Sequence, residues 1–254
     1  MRKIELVSAE SLPRRIEDIK KSLEGVYDVP LSVDFREINL DELHPTETFL
    51  EKDKLSLVFQ KIMEEDYRVP IIAVEQGGQY FIIDGHHRSF IYKKLGKGTI
   101  KAFVISLPPV SLRPRVASSL DEIPIKGVGE IDDTILATWG QILILLKYYE
   151  AVYSTLFTMK REMVRLDSLV PTQPLIEGAR LDSIREILVP VVGLKHNEQV
   201  YILDGHVRAL FAKRKGKQSI QAIILEPSKP IVYGVVKAAE KMELKSLDDI
   251  KILP

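Results

Sequence analysis

Apolar positions near the start of the chain recur three or four residues apart, at Leu12, Ile16, Ile19 and Leu23. That period is typical of one face of an amphipathic helix. Ser11 precedes the run as a candidate N-cap, and Gly25 follows it as a candidate helix end. The pattern therefore predicts a helix that begins after Ser11 and ends at about Gly25.

Further along, one arrangement of apolar and polar positions occurs twice. Five segments align in the same order: residues 45–46 with 171–172, 69–72 with 189–192, 79–88 with 199–208, 94–97 with 214–217, and 99–105 with 219–225. Each copy predicts strand, helix, strand, tight turn, strand, helix and strand, over about residues 36–106 and 162–226. The repeat therefore indicates two similar units within one chain.

A nearly continuous apolar stretch lies between the two copies. It covers residues 135–146 and resumes at Ala151, but Lys147 and Glu150 interrupt it. The uninterrupted run is too short to span a bilayer, so it predicts a long buried helix over about residues 132–159. The expected fold class is α/β (α+β), with two repeats that are each a small mixed sheet with helices, joined by the long helix. The expected domains are residues 1–118 and 119–254.

Composition narrows the classes of function. The chain has no Cys, which excludes disulfides, thiolate metal sites and thiol nucleophiles. Its 36 basic residues balance 36 acidic ones, whereas a general nucleic-acid binder usually has a basic excess. Asn39 and Asn197 are the only Asn residues, a bias that fits a thermophilic source. The N-terminus lacks the apolar core of a signal peptide. We expect a cytoplasmic protein with no membrane partner.

The sequence Asp-Gly-His-His-Arg at residues 84–88 stands where a strand is predicted to end and a helix to begin. The first turn of a helix leaves N–H groups unpaired and carries partial positive charge, so it stabilises phosphate. Gly85 would let a ligand approach the backbone, and Arg88 offers a planar fork that suits phosphate. Asp84 would hold Mg²⁺ or cap the helix. In the alternative, these residues only cap, pair and fill space.

The first copy carries more reactive groups than the second. Glu47 follows Pro45-Thr46, and its counterpart in the second copy is Gln173. A carboxylate can accept a proton from a hydroxyl at neutral pH, whereas an amide cannot. His87 is likewise replaced by Val207. The first unit is therefore the expected active one, although Glu47 by itself would be an ordinary acid of a surface loop.

The strand, the Asp-Gly-His-His-Arg turn and the following helix resemble the ParB/sulfiredoxin-like superfamily. Sulfiredoxins require a Cys in this turn, which the chain lacks, and no helix-turn-helix like that of ParB partition proteins is evident. The branch of archaeal free L-serine kinases fits best, because its members place a Pro-x-Glu segment before the turn, here Pro45-Thr46-Glu47. Those members do not show so plain a second copy of the turn.

The resemblance implies an ATP- or ADP-dependent, Mg²⁺-requiring kinase that makes O-phospho-L-serine from free L-serine. It implies the following roles: catalysis by Glu47, Asp84 and His87; nucleotide binding by Gly85, His86, His87 and Arg88; metal binding by Asp84; substrate binding by Thr138 and Trp139. We also expect the second turn to contribute Asp204, His206 and Arg208 to substrate binding. The alternative is a ParB-like nucleotide-binding protein that regulates or binds DNA without catalysis. A ParB-like nuclease would need a metal cluster that the sequence does not show.

Overall fold

The structure is a computed structural model that describes residues 4–108, 119–127 and 133–254. The chain forms two compact units, Met1–Gln141 and Ile142–Pro254. This division differs from the boundary predicted at residues 118 and 119. The reason is that Leu50–Glu51 pairs with Ile125–Lys126, which attaches the segment after residue 118 to the first unit.

The first unit is built on a mixed five-stranded sheet with the strand order β1-β6-β4-β5-β2. Strands β1 and β6 pair antiparallel, as do β4 and β5, whereas β4–β6 and β2–β5 are parallel pairs. Strands β3 and β7 form a separate parallel pair. The elements are α1 (Leu12–Tyr27), β1 (Val33–Asn39), β2 (Leu43–His44), β3 (Leu50–Glu51), α2 (Lys52–Glu64), β4 (Ile71–Gln76), β5 (Gln79–Asp84), α3 (His86–Lys94), β6 (Thr99–Ser106) and β7 (Ile125–Lys126).

Helix α1 runs longer than its sequence predicts. The Ser11 side chain makes no capping hydrogen bond, and the helix continues through Gly25 to Tyr27. It ends where Asp28 adopts the left-handed conformation, with φ 54°. The predicted apolar face is confirmed, because it packs against a cluster that includes Ile72, Val74 and Ile105 of the sheet. Burial of that face, more than capping, holds the helix in place.

The second unit repeats the same sheet, with the strand order β8-β13-β11-β12-β9. The antiparallel and parallel pairs recur at the corresponding positions, and β10 pairs parallel with β14. The repeat predicted from the sequence is thus confirmed in the fold. The elements are β8 (Phe157–Arg165), β9 (Leu169–Val170), β10 (Leu175–Glu177), α5 (Gly178–Ser183), β11 (Val191–His196), β12 (Gln199–Asp204), α6 (His206–Arg214), β13 (Ser219–Pro227), α7 (Gly234–Lys241) and β14 (Lys251–Leu253).

The repeat extends beyond the segments that the sequence alignment found. A short 3₁₀ turn at Leu120–Glu122 precedes β7, and another at Leu247–Asp249 precedes β14. In each unit an ion pair at the corresponding position joins this 3₁₀ turn to a helix, which is α3 in the first unit and α6 in the second. Lys93 Nζ lies 2.9 Å from Asp121 in the first unit, and Lys213 Nζ lies 2.6 Å from Asp248 in the second.

A long helix, α4 (Thr134–Tyr153), lies between the two sheets in the sequence. It is shorter than the predicted span of 132–159, because Ser154 has a left-handed φ of 47° and β8 begins at Phe157. Across the described residues, no helix combines the length and apolar character that a bilayer crossing would need.

Candidate active site in the first unit

The turn between β5 and α3 depends on Gly85. Its φ of 112° lies in the left-handed region, where a side chain is strained. A Cβ at this position would also lie 2.4 Å from Cγ2 of Ile71 and 3.0 Å from Nη2 of Arg88. The glycine is thus required by the backbone and by packing within the unit. The predicted close approach of a ligand stays a prediction.

Arg88 is a buried clamp of this turn, with only 3% of the residue exposed. Its Nη1 donates to the carbonyls of Val69 and Pro70, each at 2.9 Å. Its Nη2 donates to Oδ1 of Asp84 at 2.7 Å. The guanidinium therefore links the residues just before β4 to the end of β5 by hydrogen bonds. The sequence offered an ion pair as the alternative role of Arg88, but not the bonds to the two carbonyls. The predicted contact with phosphate stays a prediction.

Asp84 is oriented by two arginines and does not cap α3. Besides the bond to Arg88, its Oδ2 lies 3.4 Å from Nε of Arg15 on α1. The helix is preceded by Gly85 without a side-chain cap. Within the described residues, no group of three or more His, Asp or Glu side chains could hold a metal ion. Mg²⁺ often binds through one carboxylate together with phosphate oxygens and water. The predicted binding of Mg²⁺ by Asp84 stays a prediction.

His86 fastens the loop after β2 to the start of α3. Its Nε2 accepts a hydrogen bond from the Thr46 backbone N–H at 2.9 Å, and the Thr46 hydroxyl donates to the Ile82 carbonyl at 2.6 Å. Burial lowers the pKa of His86 to about 4, so the ring is neutral at pH 7. Because Nε2 is the acceptor, the proton lies on Nδ1, which is 3.5 Å from Oε1 of Glu47.

Glu47 lies at the mouth of this turn, with 43% of its side chain exposed. Its Oε2 is 3.9 Å from Nδ1 of His87. Burial raises the pKa of Glu47, and the positive charge of Lys54 opposes that rise. Burial also lowers the pKa of His87, to about 3. The site therefore combines a carboxylate of raised pKa with two neutral imidazoles. The predicted role of Glu47 as the base stays a prediction.

Two cavities meet at Glu47. The larger has a volume of about 370 Å³ and is lined by Ile4, Glu5, Thr46, Glu47, Thr48, Phe49, Glu51, Lys54 and His87. The smaller, about 120 Å³, lies at the start of α3, where Arg15, Asp84 and Gly85 are among its lining residues. Glu5, Glu47, Lys54 and His87 line both. The cleft thus has two lobes that join at the candidate base.

Four charged lining residues were not foreseen from the sequence: Glu5, Arg15, Glu51 and Lys54. Glu5 belongs to the segment before α1, which is held where the Tyr67 hydroxyl donates to the Val7 carbonyl at 2.6 Å. Lys54 lies in the first turn of α2, three residues after Glu51. For Lys54 the repeat gave one indication, because a basic residue, Arg180, stands at the corresponding position of the second unit.

The second unit reproduces the contacts that hold the turn. His206 Nε2 accepts from the Thr172 N–H at 3.0 Å, and the Thr172 hydroxyl donates to the Ile202 carbonyl at 2.5 Å. Arg208 Nη2 donates to Asp204 at 2.7 Å, and burial lowers the pKa of His206 to about 4. The shared contacts are therefore architectural. The predicted substrate contacts of Asp204, His206 and Arg208 stay predictions.

The predicted pair Thr138-Trp139 is not among the lining residues of either lobe. Trp139 is fully buried and packs edge-on against Phe59, with ring centroids 4.9 Å apart. The Thr138 hydroxyl donates to the Thr134 carbonyl one turn earlier in α4. The structure thus places Trp139 in the core of the first unit, and contact of the pair with substrate stays a prediction.

Comparisons with known proteins concern the superfamily of the first unit. Residues 20–113 match the family model of the ParB N-terminal domain. An uncharacterized protein of Methanocaldococcus jannaschii is 29% identical over 116 residues, which cover 43% of this chain and 43% of that protein. The chain thus matches less than half the length of this curated relative.

Two solved structures are also similar over short stretches. Protein Atu1540 from Agrobacterium tumefaciens is 17% identical, covers 32% of this chain and 44% of its own, and has a TM-score of 0.29. Sulfiredoxin from Arabidopsis thaliana is 25% identical, covers 28% of this chain and 83% of its own, and has a TM-score of 0.25. The match to the ParB N-terminal domain supports the predicted ParB/sulfiredoxin-like superfamily for the first unit.

Proposed function

We propose that the protein is a kinase that transfers a phosphoryl group from ATP or ADP to the hydroxyl of free L-serine, giving O-phospho-L-serine. One observation carries the proposal. The carboxylate of Glu47 lies 3.5 Å from His86 and 3.9 Å from His87, where the larger lobe joins the lobe at the start of α3. A base between two lobes suits a reaction that brings a donor and an acceptor together.

The smaller lobe suits the donor phosphates. Helix α3 is nine residues long, and the N–H groups of its first turn have no acceptor within the helix, so they can bind phosphate oxygens. Arg15 and Lys54 add positive charge to the lining. Bound Mg²⁺ would neutralise phosphate charge, with Asp84 as its protein ligand. Phosphoryl transfer needs mainly such positioning and charge neutralisation.

The larger lobe suits the acceptor. The serine hydroxyl oxygen forms the new bond to the terminal phosphorus, the bond from that phosphorus to the bridging oxygen breaks, and the nucleotide leaves with the electron pair. Glu47 takes the hydroxyl proton as this bond forms. The Nδ1 atom of His86 lies 3.5 Å from the same carboxylate. The cytoplasm would supply both free serine and nucleotide.

The second unit serves as an internal comparison. It keeps the turn and its clamp but has Gln173 in place of Glu47 and Val207 in place of His87. The residues that differ are those to which the proposal gives the chemistry. We therefore assign catalysis to the first unit alone.

A second candidate is a nucleotide-binding module that regulates another process without catalysis. The match of residues 20–113 to the ParB N-terminal domain favours it, since a shared domain does not by itself imply catalysis. It predicts that the affinity for nucleotide does not change when free amino acids are added. If the module bound DNA, the affinity would fall steeply with salt.

A product assay separates the two candidates. The full chain is incubated with Mg²⁺, ATP or ADP, and a panel of free amino acids, and phosphorylated amino acids are identified by mass spectrometry. O-phospho-L-serine formed with one donor, and absent with Glu47→Gln, supports the kinase. Nucleotide binding without phosphorylation of any amino acid would overturn it and favour the regulatory module.

A further inference from the structure

The smaller lobe of the cleft is narrow for the ligand that the proposed function assigns to it. Its volume is about 120 Å³, whereas a pocket for a small-molecule ligand usually has about 300–1,000 Å³. The lobe reaches the start of α3, where the donor phosphates are expected to bind. It therefore has to widen before the phosphate groups of a nucleotide enter, and one of its walls has to move.

Two walls of the smaller lobe are firmly held. Arg88 is 3% exposed and donates to the carbonyls of Val69 and Pro70 and to the carboxylate of Asp84. The backbone of α1 is held as well, because the apolar face of this helix packs against the sheet. Movement of either wall would disrupt close-packed, buried contacts, which costs free energy.

Arg15 forms a wall that is held much less firmly. The residue lies on α1 and lines the smaller lobe, and 53% of its side chain is exposed. Its Nε donates to Oδ2 of Asp84 at 3.4 Å, which is long for a hydrogen bond. An ion pair of such exposure contributes little to stability, and an exposed side chain changes rotamer without moving its helix. Arg15 can therefore move at little cost.

His86 carries a donor that suits an anion in this lobe. The residue is 2% exposed and lines the lobe. Because its Nε2 accepts from the Thr46 backbone, its proton lies on Nδ1, which has no hydrogen-bond partner within the described residues. Glu47 Oε1 lies 3.5 Å away without forming a hydrogen bond. A buried donor without an acceptor is costly, and an oxygen of a bound phosphate would satisfy it. This observation is independent of Arg15.

We propose that Arg15 is the gate of the smaller lobe: it pairs with Asp84 in the absence of phosphate and turns to a phosphate group when a donor binds. The guanidinium fork can make two parallel hydrogen bonds to a phosphate, which favours the exchange over the 3.4 Å bond to Asp84. Asp84 keeps its bond to Arg88, so its charge stays compensated. This inference rests on the part of the proposed function that places phosphate in this lobe, and it does not depend on the acceptor.

The second unit has the same turn with a more open aspartate. Asp204 is bonded to Arg208 in the same way. The side chain of Asp204 is 39% exposed, whereas that of Asp84 is 16% exposed. The additional cover of Asp84 fits a gate that belongs to the first unit.

Binding of pyrophosphate and of ADP to the full chain, measured by calorimetry, tests the gate. Arg15→Met removes the charge and keeps a good helix former. It should raise the Kd of both ligands by about 10- to 100-fold, the effect of losing hydrogen bonds to a charged group. Arg14→Met is the matched control, because Arg14 is the next residue of α1, has a 90% exposed side chain and is not among the lining residues of either lobe. It should leave both Kd values unchanged. Without ligand, both variants should unfold at the same urea concentration as wild type.

A second series tests the exchange of partners, and it is made without divalent cations so that metal binding does not enter. Asp84→Asn removes the charge that competes for Arg15 and keeps an oxygen that accepts from Arg88. It should lower the Kd of pyrophosphate by about two- to fivefold more with Arg15 present than in the Arg15→Met background, the effect of one exposed ion pair. Equal effects in the two backgrounds would mean that Arg15 stays with Asp84, and would overturn the gate.

A spectroscopic measurement covers the case in which Asp84→Asn does not fold. The Nε–H resonance of Arg15 is identified in the nuclear magnetic resonance spectrum by its loss in Arg15→Met. It should shift when pyrophosphate is added to the wild-type chain, whereas the resonance of Arg14 should not. An Arg15 resonance that stays in place at saturating pyrophosphate would overturn the gate.

The outcomes separate the gate from the kinase. Binding of pyrophosphate and ADP with equal affinity by wild type and Arg15→Met would overturn the gate and leave the kinase standing. Weaker binding in Arg15→Met, with no phosphorylated amino acid in the product assay, would uphold the gate and overturn the kinase. A wild-type chain that binds neither ligand would overturn both.

Discussion

The Oε1 atom of Glu47 lies 3.5 Å from Nδ1 of His86, and this contact joins the loop after β2 to the start of α3. The opposite ring nitrogen of His86 accepts from the Thr46 backbone, so the orientation of the imidazole is fixed. In the second unit, His206 and Thr172 make the same bond, but Gln173 follows Thr172. The fold therefore provides the same position in both units, but only the first unit has a carboxylate there.

Glu47→Gln should lower kcat by about 10²- to 10⁴-fold, the usual effect of losing a positioned general base. Nucleotide affinity should be nearly unchanged, because Gln keeps the size of the side chain and the donor phosphates lie in the other lobe. Glu42→Gln, an exposed acid of the nearby 3₁₀ turn, is the control and should retain full activity. Turnover of L-serine and calorimetry with nucleotide measure both effects. A Glu47→Gln enzyme with wild-type kcat would rule out this base.

Lys54→Met should weaken nucleotide binding by about 10- to 100-fold, since it removes a cation that lines both lobes. Met keeps the length and apolar volume of the side chain, so α2 should remain intact. Arg180→Met changes the corresponding residue of the second unit, which is exposed, and should leave the affinity unchanged. Calorimetric titration with Mg·ADP gives the Kd of each variant. Equal affinities for Lys54→Met and wild type would exclude a phosphate contact by Lys54.

Gly85→Ala should lower the free energy of unfolding by about 2–5 kcal/mol. A left-handed backbone costs a side chain roughly 1–2 kcal/mol, and overpacking against Ile71 costs roughly 1–3 kcal/mol more. Gly78→Ala is the control, because Gly78 also has a positive φ of 78°, but a Cβ at that position would have no atom within 4 Å. Urea denaturation of both variants separates backbone strain from overpacking. Equal losses of unfolding free energy in Gly85→Ala and Gly78→Ala would show that Ile71 moves away from the added methyl group without an energetic cost.

The two units could be predicted from the sequence because the repeated signals are local. Turn glycines, alternating strands and the Asp-Gly-His-x-Arg segment lie within about 40 residues of one another in each copy. Glu47 was found because it sits next to a repeated Pro-Thr pair. A further repeated segment, which begins at Ser119 and Ser246, is harder to recognise, because a stretch of differing length separates it from β6 and β13.

The rest of the site depends on packing between distant elements. Arg15 reaches Asp84 across 69 positions of sequence, and neither residue alone signals that contact. The sequence predicts Arg88 at a phosphate because arginine offers a planar fork that suits phosphate. In the structure its guanidinium also donates to the carbonyls of Val69 and Pro70, a contact that the sequence does not signal.

Acid should destabilise the fold through its buried histidines. The pKa values of His86 and His206 fall to about 4 and that of His87 to about 3, below the ordinary 6.5. The unfolded chain therefore binds more protons between these values, so stability is full above pH 6.5 and declines as the pH falls toward 4. The lowered pKa can account for up to roughly 3 kcal/mol for His86 and His206 and up to roughly 5 kcal/mol for His87. Denaturation of wild type and His87→Val at pH 7.5 and 5 tests this, and equal losses in the two proteins would contradict it for His87.

The pH dependence of turnover should report the ionisation of Glu47. Burial, with Asp84 and Glu51, raises its pKa above the ordinary 4.5, and Lys54 opposes the rise, while His86 and His87 are neutral. Because the base must be ionised, kcat/KM should fall on the acid side at a pH above 4.5. Lys54→Met should move this limb to higher pH, since it removes the charge that favours the carboxylate, and Arg180→Met should not move it. If the pH profiles of kcat/KM coincide for wild type, Lys54→Met and Arg180→Met, the acid limb reports the ionisation of another group.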